Sequence, residues 1–140
     1  SPSSISYTGN NRTHMIRVPD SGRFELRLMD GSSNPYLLQA GILAAGLYGL
    51  NNKVDPGDPL SCNMYTDYNN YPNLKKLPDE IEDALDFLKN SKELKEAFGE
   101  DVIKSYIKLK KMEIEDFNKS ERFDKKSSVT DWEKNNTLDC

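Results

Sequence analysis

Near its start the chain alternates apolar and polar residues twice. Met15-Ile16-Arg17-Val18 ends at Pro19, Asp20-Ser21-Gly22 supplies turn residues, and Arg23-Phe24-Glu25-Leu26-Arg27-Leu28 resumes the alternation. This pattern predicts two short strands joined by a turn. A period of two directs Phe24, Leu26 and Leu28 to a core and sets Arg23, Glu25 and Arg27 in one polar row on the opposite face.

The period then lengthens. Asp30-Gly31-Ser32-Ser33-Asn34-Pro35 is a loop that ends in a helix entry, with Asn34 as the cap and Pro35 at the first helical position. Residues 36–50 carry no charge and are rich in Ala, Gly and Leu, which predicts a helix buried on several sides as a core element. Asn51-Asn52-Lys53 and Asp55-Pro56-Gly57-Asp58-Pro59 break it and open a long polar loop to about Lys76. Beyond Leu77-Pro78 the pattern is that of charged amphipathic helices. Ile81, Ala84, Leu85 and Leu88 share one face, and Leu94, Ala97 and Phe98 precede a stop at Gly99. Val102, Ile103, Tyr106, Leu109 and Met112 form a third stripe before a charged run to Lys126, and a final short helix is expected around Trp132. The fold class is α+β: a strand-rich segment over residues 1–35, then a mainly helical segment over residues 36–140.

Composition narrows the function. A chain of 140 residues is one domain's worth of material, long enough to bury a core. No apolar run reaches the roughly 18 residues of a membrane span, and no signal-peptide pattern opens the chain. Cys62 and Cys140 are too far apart for a metal or redox motif, in keeping with a reducing cytoplasm. The net charge of -4 argues against a nucleic-acid binder, whose domain is normally basic. Ser1 stands where an initiator methionine is expected, so the sequence reads as a fragment of a longer protein.

Against this acidic background the arginines are unevenly placed. Four of five, Arg12, Arg17, Arg23 and Arg27, fall within sixteen residues, while fourteen lysines carry the remaining positive charge. Guanidinium is a planar fork that grips carboxylate or phosphate oxygens in pairs, whereas lysine is a mobile point charge. The cluster therefore points to a small anion. Glu25, between two arginines on one strand face, is a hard oxygen donor of the kind magnesium prefers.

These residues resemble a known family. Asn11-Arg12-Thr13-His14-Met15-Ile16-Arg17-Val18-Pro19, Arg23-Phe24-Glu25-Leu26-Arg27, Asp30 with Asn34-Pro35-Tyr36-Leu37, Ala44-Ala45-Gly46-Leu47, Asn52-Lys53, Pro56-Gly57 and Asn63-Met64-Tyr65 look, in that order, like the C-terminal part of the glutamine synthetase catalytic domain. The stretch from Trp132-Glu133 to Leu138-Asp139-Cys140 resembles the end of the bacterial GlnT-like, third-type subgroup, which includes enzymes that join methylamine to glutamate.

The resemblance implies an ATP-dependent ligase that phosphorylates the γ-carboxylate of glutamate and lets ammonia displace the phosphate. It implies Mg2+ or Mn2+, a large homo-oligomeric ring and a cytoplasmic setting. It assigns Arg12 to glutamate and the moving phosphoryl group, Arg17 to phosphate charge, Arg23 to the nucleotide, Glu25 to the metal and Arg27 to the α-carboxylate of glutamate. The nucleotide-contacting lysine of many bacterial relatives is replaced here by Asp20-Ser21-Gly22. Tyr65 stands where some relatives carry an adenylylated tyrosine, which makes it a candidate modification site, although Thr66-Asp67-Tyr68 departs from their loop. A single metal carboxylate is present, so the 140 residues are expected to be inactive alone.

The plainer readings are a solvated face for an isolated Arg-x-Glu-x-Arg, a partly buried structural role for His14 beside Arg12, an ordinary loop position for Tyr65, and packing for Trp132. Rival functions are a γ-glutamylmethylamide synthetase and a non-catalytic relative that binds anions or mediates assembly. The latter would be expected to have lost an arginine or Glu25, and neither is lost.

Overall fold

The computed structural model of the chain describes residues 2–120 and 129–137, so Ser1, the charged run to Lys126 and Leu138-Asp139-Cys140 lie wholly or partly outside the described residues. The elements in order are β1 (Tyr7–Thr8), β2 (Ile16–Asp20), β3 (Arg23–Leu26), α1 (Pro35–Asn51), α2 (Met64–Asp67), a 3-10 turn (Tyr68–Asn70), α3 (Ile81–Asn90), α4 (Lys92–Phe98), α5 (Glu100–Ser120) and α6 (Asp131–Asn136). They divide into two compact units. One comprises the residues up to Asp30 with Asp55–Ala84, the other Gly31–Val54 with the residues from Leu85 on.

In the first unit the expected strand pair forms the antiparallel β2–β3 ladder, with Ile16 opposite Leu26, Arg17 opposite Glu25, and Asp20 opposite Arg23 across an irregular register. Gly22 makes the turn at φ 78°, a backbone angle that L side chains rarely adopt. A strand that the periodicity did not predict, β1, pairs in parallel with β2, Tyr7 beside Ile16 and Thr8 beside Arg17. Two residues are too few to show a period. The segment before β1 is held against residues 75–77 by Ile5 N–H to the Lys75 carbonyl at 2.8 Å and Leu77 N–H to the Ser3 carbonyl at 2.9 Å. The polar stretch expected as loop contains α2, capped by the Asn63 side chain, which accepts from Tyr65 N–H at 3.0 Å.

The second unit is helical. Asn34 caps α1 as expected, its side chain accepting from Tyr36 N–H and Leu37 N–H at 3.1 Å each, with Pro35 at the helix start. Helix α4 packs against α1 and α5, is capped by Ser91, and ends where Gly99 turns to φ 85°. Helix α6 starts with a capping box between Thr130 and Glu133. Trp132 lies edge-on to Phe117, ring centroids 5.5 Å apart, and donates from Nε1 to Asp116 at 2.7 Å. Its expected packing role is met by these contacts. No helix among the described residues is long and apolar enough to cross a membrane.

The core differs from expectation. Met64, Leu85 and Ile103 are the buried apolar residues of the described chain, and α1 has none. Tyr36, Leu37, Leu43, Leu47 and Leu50 are all exposed. A helix apolar on every side needs partners on every side, and in these residues α1 has α4. The strand face expected to be the core shows the same shortfall, with Phe24 61% exposed, Leu28 exposed and Leu26 half-buried. Three short strands and the segments around them leave that face largely uncovered.

Candidate active site

The polar row of β3 meets β2 in a geometry set by the ladder. Residues directly opposite in an antiparallel pair present their side chains on the same face, so Arg17 and Glu25 are neighbours. Arg17 Nη1 donates to Glu25 Oε1 at 2.9 Å and Oε2 at 2.7 Å. Arg23 adds a longer approach, Nη1 to Oε1 at 3.7 Å, and its Nη2 lies 3.4 Å from Asp20 Oδ2. The Arg17 side chain is 12% exposed and that of Glu25 32%, so solvent screens this pair only in part. Glu25 is held below the ordinary carboxylate range, first by the hydrogen bond from Arg17, then by the charges of Arg17, Arg23 and Arg12, with desolvation opposing them. It is ionised at neutral pH.

Arg12 and Arg27 reach the same region by different routes. The Arg27 amide joins the ladder through the Met15 carbonyl at 2.9 Å, and its Nε donates to the Arg12 carbonyl at 3.1 Å. Among the described residues no hydrogen bond or ion pair engages the Arg12 guanidinium, and its charge acts on Glu25 from a distance. The structure therefore gathers all five predicted residues, Arg12, Arg17, Arg23, Glu25 and Arg27, in the first unit around β2–β3. Tyr65 is separate, exposed on α2, and among the described residues its side chain makes no hydrogen bond to the arginines.

A buried polar clamp holds the turn that carries Arg12. His14 is fully buried, which corrects the expectation of partial burial. Its Nε2 donates to the Cys62 carbonyl at 2.9 Å, since a carbonyl only accepts, and Nδ1 lies 3.0 Å from Ser6 Oγ. Asn11 Nδ2 donates to the same carbonyl at 2.9 Å, and Asn11 Oδ1 accepts from Thr13 N–H and Oγ1, both at 2.9 Å. Thr13 Oγ1 in turn accepts from Met64 N–H at 3.0 Å. Sequence reasoning missed Ser6, Asn10, Asn11 and Thr13 as partners of the arginine segment. The available signal was the turn chemistry of Gly9-Asn10-Asn11, because asparagine side chains commonly bond nearby backbone.

The sequence profile of the glutamine synthetase catalytic domain matches residues 1–136. The chain belongs to the glutamine synthetase family. A glutamine synthetase of Rhizobium meliloti (strain 1021) is 47% identical over 99% of the chain, and a glutamate–methylamine ligase of Methyloversatilis universalis is 38% identical over 99%. A solved structure of GmaS in complex with ADP superimposes on the whole chain with a TM-score of 0.78 at 43% identity. The chain spans 30% of the length of each of these proteins. The fold is that of the C-terminal part of a glutamine synthetase catalytic domain, three strands followed by helices.

Proposed function

We propose that these residues form one wall of the active site of an ATP-dependent ligase that joins an amine to the γ-carboxylate of glutamate. The observation that carries this reading is the ionised Glu25 gripped by Arg17 and flanked by Arg23 and Arg12, in a segment matched by the glutamine synthetase profile. Phosphoryl transfer is catalysed largely by positioning and by charge stabilisation, and fixed guanidinium groups supply both. In this assignment Arg12 attends the moving phosphoryl group and glutamate, Arg17 neutralises phosphate charge, Arg23 meets the nucleotide and Arg27 holds the glutamate α-carboxylate.

The donor set fits a divalent metal in part. A carboxylate offers about four lone-pair sites, and Arg17 takes two on Glu25. The oxygens are of the hard type that Mg2+ and Mn2+ prefer. Among the described residues no group of three or more His, Cys, Asp or Glu gathers, so Glu25 is one ligand of a set completed elsewhere. A metal bound there would neutralise charge on phosphate oxygens.

Ammonia is the amine in the leading reading, supported by the glutamine synthetase relatives. Methylamine is the alternative, supported by the glutamate–methylamine ligase and by GmaS. On the same likeness the full-length protein is read as a cytoplasmic homo-oligomeric ring, and modification at Tyr65 stays a proposal supported by its exposure. The test is amine-dependent phosphate release from ATP and glutamate by the full-length protein, run with ammonia and with methylamine. Glu25→Ala is expected to weaken binding of the metal–nucleotide pair. Unchanged metal affinity and activity in that variant would remove Glu25 from the site.

A further inference from the structure

We infer that Asn10 is a positioning residue that sets the Arg17 guanidinium in register with Glu25, a role resting on the active-site reading above. The Asn10 Oδ1 atom accepts from two nitrogens along one edge of that guanidinium, Nε at 3.0 Å and Nη2 in a shorter contact. Nη1, the third nitrogen, faces both oxygens of Glu25. One amide oxygen thus fixes the plane of the fork, and the remaining nitrogen points across the ladder.

The backbone around Asn10 is itself anchored to the strand it serves. Thr8 is the ladder neighbour of Arg17. The Gly9 carbonyl accepts from Val18 N–H at 3.2 Å, one residue past Arg17, and from Asn11 N–H at 2.8 Å. Asn10 therefore lies between Gly9, whose carbonyl is bonded to the strand, and Asn11, whose amide bonds back to that same carbonyl. An arginine side chain has many rotamers, and ordering it costs up to about 2 kcal/mol of conformational entropy. A preset acceptor offsets that cost before any anion arrives. The guanidinium carries five N–H donors, and the contacts to Asn10 and Glu25 use at most four. At least one remains on Nη2 for a phosphate oxygen.

The test measures ADP affinity in the presence of Mg2+ by calorimetry on the full-length protein, with the thermal midpoint as a control for folding. Loss of one net hydrogen bond predicts about fivefold weaker ADP binding in Asn10→Ala. In the Arg17→Ala background, Asn10→Ala is expected to have no further effect, because the group it acts through is gone. Unchanged affinity in Asn10→Ala, or an equal loss in both backgrounds, would overturn the positioning role while leaving the active-site reading intact. Unchanged ADP affinity in Arg17→Ala alone would overturn the nucleotide reading and the Asn10 role with it.

Discussion

Replacing His14 by leucine should loosen the attachment between the Arg12 turn and the segment around Met64. An opening that peels residues 62–64 away from residues 11–14 breaks three bonds: His14 Nε2 to the Cys62 carbonyl, Asn11 Nδ2 to the same carbonyl, and Met64 N–H to Thr13 Oγ1. Leucine keeps roughly the volume and removes the first. One net hydrogen bond is about 1 kcal/mol, or about fivefold in the opening equilibrium. Asn11→Ala removes the second bond, with a similar expected effect on that step. The double variant is more informative, because each single change leaves the Cys62 carbonyl one donor and the double leaves it none of the two. The part-buried carbonyl, left with neither donor, adds a desolvation cost to the closed state, so the combined loss should exceed the roughly 30-fold that two independent bonds would give. Hydrogen exchange at the Met64 amide reads this directly, with amides in the middle of α5 as the control that should not change. An unchanged Met64 amide in His14→Leu, or a double variant no worse than the product of the singles, would refute the clamp.

Titration of Glu25 offers a second check. Its carboxyl is held below the ordinary value of 4.5, chiefly by the bond from Arg17, so the pair contributes stability above that value and loses it as pH falls through the lower folded midpoint. The NMR midpoint of the Glu25 side-chain carboxyl should lie below 4.5 and rise in Arg17→Ala, which removes the hydrogen bond and its charge; a midpoint at or above 4.5 would exclude the grip of Arg17 on Glu25. In the helical unit, Asp116→Leu removes the partner of Trp132 Nε1 and Phe117→Ala removes its edge contact. Each should shift Trp132 emission to the red as water reaches the indole, and an unshifted spectrum in both would show that α6 is not seated there.

What could be read from the residues follows from the range of the forces involved. Local chemistry was legible: Asn34-Pro35 caps α1, Gly99 ends α4, and Arg23-Phe24-Glu25-Leu26 forms a strand opposite β2. Each depends on residues within a few positions of one another. Burial was not legible to the same degree. The apolar character of residues 36–50 says that the helix needs cover, yet it cannot say which residues provide it, and among the described residues its contact with α4 leaves none of its side chains buried. The arginines were identifiable by type, and the pairing of Arg17 with Glu25 was not, because it depends on register across a turn. The His14 clamp joins residues about fifty positions apart, and no period marks such a link.

The ranking of the four arginines follows from what each already holds. Arg17 is committed to Glu25 and Asn10, Arg23 leans on Asp20 and Glu25, and Arg27 is tied through Nε to the Arg12 carbonyl. Arg12 is the member whose guanidinium has no hydrogen-bond or ion-pair partner among the described residues, while its backbone is fixed by Arg27 on one side and by the neighbouring His14 clamp on the other. A cation with no partner to give up can take an incoming anion without breaking a bond within the chain, and only the ordering of its own side chain opposes binding. A cation already paired offers only the N–H groups that its partners leave, as on Arg17 Nη2. In the proposed site Arg12 is therefore the arginine with the most unmet demand for incoming negative charge.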